Sequence, residues 1–377
     1  MLIELYIVAF SIITYGIVTT LALIGWGKLP RTLPSAAKTK NTHFISIIIS
    51  ARNEEKTIET CLRNIINQHF DNSNFELILI DDCSDDLTYE KALSVLQTSS
   101  IHYEVIRQSH HKGKKQNLAQ AIDRAKGSII VTSDADVTHR HPNWLSTLAA
   151  YFETYSPNAL IMPVDFETDR SLLTQFQIIE NAALIGIAAG YTGLQKPFMC
   201  SGANFAFKKK AYESVNGYQS HLHISSGDDV LLLEDIKKLN PGLVHYYLSR
   251  QLIVKTKAQK NSKDFINQRI RWGYKAKYNP NGLNLFVGFI TLLANLVFLV
   301  WLVAFVKNAP ILPYLSIFVI AKLVFDFLLL FLAADFLRRL KYMWLVIPFE
   351  CIYWVYACVI GIASLFIKPY WKGKKIN

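Results

Sequence analysis

Residues 44–50 read FISIIIS, a short apolar run that is rich in β-branched side chains. Such a run is typical of a strand that is buried on both faces inside a parallel sheet. Residues 75–80, FELILI, and residues 128–132, SIIVT, repeat the pattern, and residues 103–107 suit another strand. The four runs therefore predict the centre of one sheet.

Segments with helical periodicity separate these strands. After the first strand, Ile58, Leu62 and Ile65 recur at three- and four-residue spacing, so that they share one helix face. The predicted helices cover residues 54–69, 86–98 and 114–126. Strands that alternate with helices predict an α/β fold with a mostly parallel sheet, which binds its ligands at the carboxyl ends of the strands.

The composition predicts membrane segments beside a globular domain. Hydrophobic residues make up 51% of the 377 residues and charged residues 18%, which is too apolar for a soluble protein. The apolar excess lies in residues 2–26, 284–306, 311–333 and 342–367, and each segment is long enough to cross a bilayer. The predicted domains are a transmembrane helix at 1–27, a globular domain at 44–280, and a membrane region of about three helices at 284–367.

Basic residues flank the apolar segments and contribute to the net charge of +11. Lys28, Lys38 and Lys40 predict that the globular domain is cytoplasmic, beside the inner or plasma membrane of the cell. Three further spans would leave the C-terminal tail outside, although Lys368 and Lys372 favour the inside. One C-terminal segment is therefore expected to be re-entrant or interfacial.

Two features of the apolar segments allow alternative interpretations. Residues 171–190 form an apolar helix candidate, either at the membrane surface or in the core. Lys322, Asp326 and Glu350 lie within apolar segments, where ionisable groups face protein or water. They either line an acceptor path or pair with one another, and a membrane transporter is the alternative class that they suggest.

The cysteines and the basic charge restrict the classes of protein that the sequence fits. The five cysteines show no CxxC or zinc spacing, which fits a reducing compartment. The basic charge is not accompanied by a nucleic-acid-binding motif. No nucleic-acid partner is therefore predicted.

Carboxylates follow two of the predicted strands. Asp134 and Asp136 form a DxD pair after residues 128–132, and Asp81 and Asp82 follow residues 75–80. Paired carboxylates at a strand end suit Mg²⁺ or Mn²⁺, which also bridge phosphate oxygens. Asp82 at a neighbouring strand end can accept hydrogen bonds from a nucleotide. Each motif alone is also compatible with a solvated loop.

Three further motifs follow along the chain. Lys112-Gly113-Lys114-Lys115 precedes a helix, where lysines and amides can meet phosphates. Gly227-Asp228-Asp229 offers a general base, with Glu234-Asp235 as a rival pair. In residues 268–272, QRIRW, Arg271 can bind phosphate and Trp272 can pack under a sugar, unless this is a lipid-binding basic helix.

Taken in this order, the motifs resemble the family-2 glycosyltransferases, the GT-A-fold group that includes cellulose, chitin and hyaluronan synthases and many lipid glycosyltransferases. The resemblance covers about residues 44–280 and the habit of following this domain with membrane helices. The matching set consists of residues 46–55 (SIIISARNEE), Asp81-Asp82, Lys114 with Asn117, Asp134-Ala135-Asp136, Gly227-Asp228-Asp229 and Gln268 to Trp272. The ordered set is far more specific than any single motif.

The resemblance implies a role for each motif. The residues implied in nucleotide-sugar binding are Ser50, Arg52, Glu54, Asp82, Lys114 and Asp134. Asp136 is implied as the direct ligand of Mg²⁺ or Mn²⁺ together with Asp134, and Asp229 as the general base beside Asp228. The residues implied in acceptor or phosphate binding are Gln268, Arg271 and Trp272.

The implied reaction is inverting transfer from a UDP- or GDP-sugar. The chain departs from the polymer synthases, since no cyclic-dinucleotide-binding domain follows and the C-terminal apolar segments are few. A lipid-linked or membrane-surface glycan acceptor is therefore expected, and a small processive polysaccharide synthase is the alternative.

Overall fold

The computed structural model describes residues 2–31, 43–224, 227–275, 281–368, 370–371 and 374–375. Lys38, Lys40 and Lys372, which entered the topology prediction, lie outside the described residues. The chain forms two compact units. The sheet unit consists of Leu29–Glu167 and Gln195–Lys257, and the helical unit consists of Met1–Lys28, Thr168–Leu194 and Ala258–Asn377.

Nine strands build the sheet unit over the residues that the structure describes. They are β1 Ile45–Ala51, β2 Phe75–Asp81, β3 His102–Arg107, β4 Ile129–Asp134, β5 Ala159–Ile161, β6 Val164–Phe166, β7 Phe205–Lys208, β8 Val244–Tyr246 and β9 Val254–Thr256. Seven of them form a sheet in the order β3-β2-β1-β4-β7-β5-β8, and β6 pairs with β9 separately. Only β7 runs antiparallel to its neighbours in the large sheet. The predicted α/β fold with a mostly parallel sheet is confirmed.

The helices number twelve among the described residues. They are α1 Leu2–Lys28, α2 Ile58–Ile66, α3 Thr88–Gln97, α4 Lys114–Arg124, α5 Trp144–Tyr155, α6 Leu172–Gly193, α7 Lys209–Ser214, α8 Asp228–Leu239, α9 Ser262–Lys275, α10 Gly282–Val306, α11 Leu312–Phe336 and α12 Val346–Phe366. The strands Tyr370–Trp371 and Lys374–Lys375 pair after α12. Helices α2 to α5, α7 and α8 belong to the sheet unit, and the others to the helical unit.

The core of the sheet unit explains why its strand ends are rigid. Ile47, Ile49, Leu77 and Val131 are fully buried in one apolar cluster with residues of α2, α3 and α5. Burial of each such side chain contributes roughly 1.5–3 kcal/mol. The central strands are therefore held firmly, and so are the residues at their carboxyl ends.

In the described part of the chain, the helical unit contains five helices that are long and apolar enough to cross a membrane. Four of them, α1, α10, α11 and α12, match the predicted apolar segments. The fifth is α6, which covers the ambiguous residues 171–190. It packs against α1 at backbone distance, because a Cβ added at Gly190 would lie 2.3 Å from the carbonyl oxygen of Ala22. Helix α6 is thus a packed member of the helical unit.

The grouping of segments bears on the predicted domains. Two stretches within the predicted range 44–280, Thr168–Leu194 and the chain from Ala258, pack with the apolar helices. Compact units follow packing, whereas the predicted domains followed hydropathy. The bounds 1–27, 44–280 and 284–367 therefore remain a prediction.

The charged residues of the apolar segments pair with one another. Lys322 Nζ lies 2.7 Å from both Asp326 Oδ2 and Glu350 Oε2. The hydroxyl of Tyr15 donates a hydrogen bond to Asp326. The cluster joins α1, α11 and α12, and this favours a structural pairing over an acceptor path.

Candidate active site

The register of the sheet brings the predicted site residues to one edge. Ser50 lies opposite Asp134 in the β1–β4 pair, and Ala51 lies opposite Asp81 in the β1–β2 pair. The strands are parallel, so their carboxyl ends open onto the same side of the sheet. The loop after β1, the Asp81-Asp82 pair and the DxD pair therefore converge there.

The loop after β1 is held by side chains of the loop after β2. The backbone N–H of Asn53 donates to Ser84 Oγ at 2.9 Å, and that of Glu54 donates to Thr88 Oγ1 at 2.7 Å. Asn53 has a left-handed φ of 52°. Helix α2 consequently begins at Ile58 rather than at the predicted residue 54, because the preceding amides bind across the loop.

Asp82 braces the loop that precedes α4. Its side chain is almost completely buried and accepts hydrogen bonds from the N–H of Lys112 at 2.8 Å and of Gly113 at 3.1 Å. His111 Nδ1 lies 2.6 Å from its second oxygen. Gly113 has a φ of 91°, a conformation that favours glycine. The implied nucleotide-binding role of Asp82 stays a prediction, whereas its hydrogen bonds hold the loop before α4 in place.

Lys114 connects the two acidic motifs. Its Nζ lies 2.6 Å from Asp134 Oδ1 and 3.2 Å from Asp228 Oδ2. Burial lowers the pKa of Lys114, but the two carboxylates outweigh that effect and hold the pKa above its ordinary value. On the same helix, Asn117 donates to Ser50 Oγ at 3.2 Å. The first turn of α4 therefore ties together the ends of β1 and β4 and the start of α8.

The DxD pair forms an acidic site. Burial and the nearby carboxylates of Asp134 and Glu54 raise the pKa of Asp136 to about 6, and the Thr256 hydroxyl donates to Asp136 at 3.2 Å. Crowded carboxylates of this kind suit a hard divalent cation. In the part of the chain that the structure describes, no three Asp, Glu, His or Cys side chains make a complete metal site. A metal here would complete its coordination with phosphate oxygens or water.

The two carboxylates of Gly227-Asp228-Asp229 have different surroundings. Gly227 has a φ of 80°, and the two aspartates occupy the first turn of α8, where the helix dipole favours negative charge. Asp228 is buried and paired with Lys114. Asp229 is less buried and accepts a hydrogen bond from the N–H of Gly202 at 3.2 Å. Asp229 is thus the better placed of the two to take up a proton.

The rival pair Glu234-Asp235 is engaged elsewhere. Glu234 is buried and forms an ion pair with Lys237. Asp235 lies 2.7 Å from both His221 Nε2 and Lys238 Nζ. Both carboxylates therefore stabilise α8 and its surroundings, and neither is a candidate base.

The sequence did not indicate a role for Gly202. This residue starts a 3₁₀ turn, and a Cβ at this position would lie 3.1 Å from Asp228 Oδ2 and 3.4 Å from Lys114 Nζ. Lys115, which the sequence offered as a phosphate ligand, is buried and donates to the carbonyl oxygens of His221 at 2.9 Å and Ile224 at 2.7 Å. A lone glycine carries no spacing signal, and the structural contacts of Lys115 become visible only in the tertiary structure.

The QRIRW residues belong to the helical unit. Gln268, Arg271 and Trp272 are half-buried on α9. Between them, Arg269 is buried, and its Nε donates to Glu180 at 2.8 Å. The guanidinium of Arg269 also lies 4.2 Å from the centre of the Trp272 ring. Arg269, for which the sequence indicated no role, packs at the centre of this motif.

Comparison with known proteins agrees with this geometry. Residues 46–215 match the family described as Glycosyl transferase family 2. The chain is 25% identical to a probable glycosyltransferase of Bacillus subtilis, YdaM, over 248 residues, which is 62% of this chain and 55% of the relative. It is 33% identical to dolichol-phosphate mannosyltransferase of Pyrococcus furiosus over 95 residues, 25% of this chain and 26% of the relative. The chain thus spans about half or less of these relatives' length.

A solved structure has a similar fold. The mannosyltransferase PcManGT from Pyrobaculum calidifontis superimposes with a TM-score of 0.59 and 17% identity, covering 96% of this chain and 99% of that one. At this identity the likeness concerns the fold, and it agrees with the GT-A prediction. The matched segment contains the DxD pair, which follows β4, and Lys114, the first residue of α4. Residues 46–215 of the chain thus match glycosyl transferase family 2, and the fold is similar to that of a solved mannosyltransferase.

Proposed function

We propose that this protein transfers a sugar, with inversion, from a nucleotide-sugar donor to a lipid-linked or membrane-surface glycan acceptor, using a divalent metal. The observation that carries the proposal is the position of Lys114 between Asp134 of the DxD pair and Asp228 of the Gly227-Asp228-Asp229 motif. One cation thereby joins the expected donor-phosphate site to Asp228, the neighbour of the expected base Asp229.

The donor is a UDP- or GDP-sugar. Ser50, Arg52 and Glu54 lie on or beside the end of β1, next to the loop that Asp82 braces, and these residues would surround the nucleoside. Lys114 would bind the phosphates by exchanging its contact with the Asp134 carboxylate for a contact with a phosphate oxygen. The fold neighbour PcManGT was solved with GDP-Man and Mn2+, which supports this class of donor.

Asp136 and Asp134 would hold Mg²⁺ or Mn²⁺. The crowding that raises the pKa of Asp136 supports this assignment, because a divalent cation neutralises the clustered carboxylates. When bound, the metal would stabilise the charge of the diphosphate leaving group. Side chains of this chain would carry out the other steps of the reaction.

Asp229 would accept the proton of the acceptor hydroxyl. Its hydrogen bond from Gly202 fixes one carboxylate oxygen, and Lys114 neutralises the neighbouring Asp228, so that Asp229 can remain ionised. The deprotonated hydroxyl then attacks the anomeric carbon on the face opposite the leaving diphosphate. Direct displacement of this kind inverts the anomeric configuration.

We expect the acceptor to lie at the membrane. Five apolar helices support membrane association, and a further relative, 36% identical over 95 residues (25% of this chain, 20% of the relative), is the beta-monoglucosyldiacylglycerol synthase of Trichormus variabilis. Gln268, Arg271 and Trp272 would contact the acceptor or its phosphate, and membrane lipid would surround the apolar helices. We place the sheet unit in the cytoplasm, beside the cell membrane.

A small processive polysaccharide synthase is the second candidate, which the QRIRW sequence favours. Product length separates the two, because a processive enzyme yields polymer from the same donor. The paired charges of Lys322, Asp326 and Glu350 weaken the transporter alternative.

The test is donor turnover by the detergent-solubilised protein. A panel of UDP- and GDP-sugars is incubated with Mg²⁺ or Mn²⁺ and a lipid extract, and label is followed into lipid and into polymer. We expect metal-dependent labelling of lipid from one donor, whereas labelled polymer would favour the synthase. Asp136→Ala should abolish metal-dependent donor binding, and Asp229→Asn should retain donor binding but lower transfer by about 10²–10⁴-fold. Asp123→Asn, an exposed carboxylate of α4, is the matched control; full activity of either site variant would contradict its assigned role.

A further inference from the structure

Helix α6 is long and apolar, but its connections exclude a crossing. The chain before α6 forms β4, the chain after it forms β7, and β4 pairs with β7 from Ile129 to Thr132. Strands that are hydrogen-bonded in one sheet must all lie on the same side of a bilayer. Both ends of α6 therefore lie on that side, and α6 does not cross.

The directions of the other long helices follow from their contacts. Tyr15 bonds to Asp326, and the rings of Trp26 and Phe336 lie 6.0 Å apart, so α1 and α11 run parallel. Trp301 of α10 donates to Ser316 Oγ of α11 at 2.9 Å, close to the turn that joins them, so α10 and α11 are antiparallel. The end of α1, the start of α10 and the end of α11 thus share one end of the bundle, named here the Trp26 end.

Helix α12 turns back toward the Trp26 end. The ring of Trp354 lies 5.9 Å from that of Phe298, near the middle of α10. Seven residues later, a Cβ at Gly361 would lie 3.6 Å from the side chain of Leu292, which is closer to the start of α10. Residues later in α12 therefore contact residues earlier in α10, so α12 runs toward the Trp26 end.

The last turn of α12 reaches α9, the helix that precedes α10 in the chain. A Cβ at Gly273 would lie 2.7 Å from the Cβ of Ser364. Near the start of α12, Glu350 binds Lys322, which lies 14 residues before Phe336, or about 21 Å along α11. The chain after α11 consequently reverses its direction before α12 and returns to the Trp26 end, instead of passing through to the other end.

The distribution of basic residues agrees with this path. The turn between α10 and α11 contains the single basic residue Lys307. The Trp26 end and the segments that leave it carry Lys28, Arg31, Arg338, Arg339, Lys341 and Lys368. Because basic residues stay on the cytoplasmic side, a returning α12 places Lys368 with the other charges and removes the conflict that three full crossings create.

We propose that α1, α10 and α11 cross the bilayer and that α12 is a re-entrant segment in the leaflet at the Trp26 end of the bundle. The partner of α12 is the lipid of that leaflet, and Lys368 lies at the Trp26 end as well. Helix α9 is fastened to the re-entrant segment through the stacked rings of Phe265 and Tyr356. The QRIRW helix is therefore anchored to a membrane-embedded element. The proposal does not depend on the catalytic activity.

Cysteine labelling tests this path in the full-length protein. Asn308→Cys, in the turn between α10 and α11, and Lys368→Cys, after α12, are each exposed. A membrane-impermeant maleimide is applied to spheroplasts and to inverted vesicles, and the wild type with its five native cysteines sets the background. We expect Asn308→Cys to be labelled in spheroplasts and Lys368→Cys in inverted vesicles.

Two further variants test α6. Arg170→Cys and Lys196→Cys flank this helix on exposed positions, and both should be labelled in inverted vesicles, together with Lys368→Cys. Labelling of Asn308→Cys and Lys368→Cys from the same side would overturn the re-entrant path of α12. Labelling of Arg170→Cys and Lys196→Cys from opposite sides would overturn the assignment of α6.

Discussion

Lys114 Nζ lies 2.6 Å from Asp134 Oδ1, so the first turn of α4 and the end of β4 meet through one ion pair. Asp228 approaches the same ammonium group at 3.2 Å. A lysine in this position can exchange a carboxylate for a phosphate oxygen, because both are anions that accept its hydrogen bonds. The pairing thus holds the site together before a donor arrives and can pass to the donor afterwards.

Replacement of Lys114 should therefore disable transfer without unfolding the protein. For Lys114→Met we expect kcat/KM to fall by about 10²-fold or more, because a preorganised charge at a developing anion is lost. The measurement is the initial rate of sugar transfer over a range of donor concentrations. Lys126→Met, at an exposed lysine beyond the same helix, should retain wild-type kinetics. Equal kinetics for both variants would show that Lys114 does not serve the donor.

Gly202→Ala should lower the rate by displacing the side chain of Asp228, the partner of Lys114. The added Cβ would lie 3.1 Å from Asp228 Oδ2, so this carboxylate must shift by a few tenths of an ångström, and 3.4 Å from Lys114 Nζ. A misplaced catalytic group costs rate steeply, and we expect kcat to fall about tenfold or more. Gly282→Ala, where a Cβ would meet no atom within 4 Å, is the control. Unchanged kcat in Gly202→Ala would mean that the turn is outside the reacting centre.

Arg269→Leu should destabilise the helical unit. Arg269 and Glu180 are both buried, and Tyr356 also donates to Glu180, so the substitution leaves a buried carboxylate without its cation. Removal of one partner of a buried pair costs about 3–5 kcal/mol. Thermal unfolding in detergent, followed by aggregation or by tryptophan fluorescence, measures the loss. The control is Arg140→Leu, whose pair with Glu167 is largely exposed; a similar loss in both variants would refute a special contribution of Arg269.

The free energy of unfolding should decrease at low pH because His139 is buried in its neutral form. Burial lowers the pKa of His139 to about 3, below the unfolded value near 6.5. The unfolded state therefore binds a proton that the folded state excludes, so this contribution is complete above pH 6.5 and is lost as the pH falls toward 3. In that window the free energy of unfolding falls by about 1.4 kcal/mol for each unit by which the pH decreases.

Unfolding temperatures at pH 7.5 and pH 5.5 measure this effect. His139→Gln should have a smaller difference between the two temperatures than the wild type, because the substituted side chain does not titrate. The exposed His69, replaced by Gln, is the control. An unaltered difference in His139→Gln would show that acid acts through other groups.

The sequence by itself determined the α/β class and the order of the motifs. The runs around Ile47, Leu77 and Val131 are strongly apolar and β-branched, and this local pattern suffices to identify buried strands. Because parallel strands share a carboxyl edge, the positions of Ser50, Asp82 and Asp134 along the chain also predicted that they would meet. The apolar segments were equally visible, since hydropathy is a property of composition.

Only the tertiary structure decided which residues support the site and how the apolar helices run. Gly202 and Lys115 act through contacts with Asp229, His221 and Ile224, which are distant in sequence and leave no periodic signal. Hydropathy reports that α6 and α12 are apolar enough to cross a bilayer, but their paths depend on strand pairing and on helix contacts. Such long-range contacts arise from the packing of whole elements, and no local pattern in the chain encodes them.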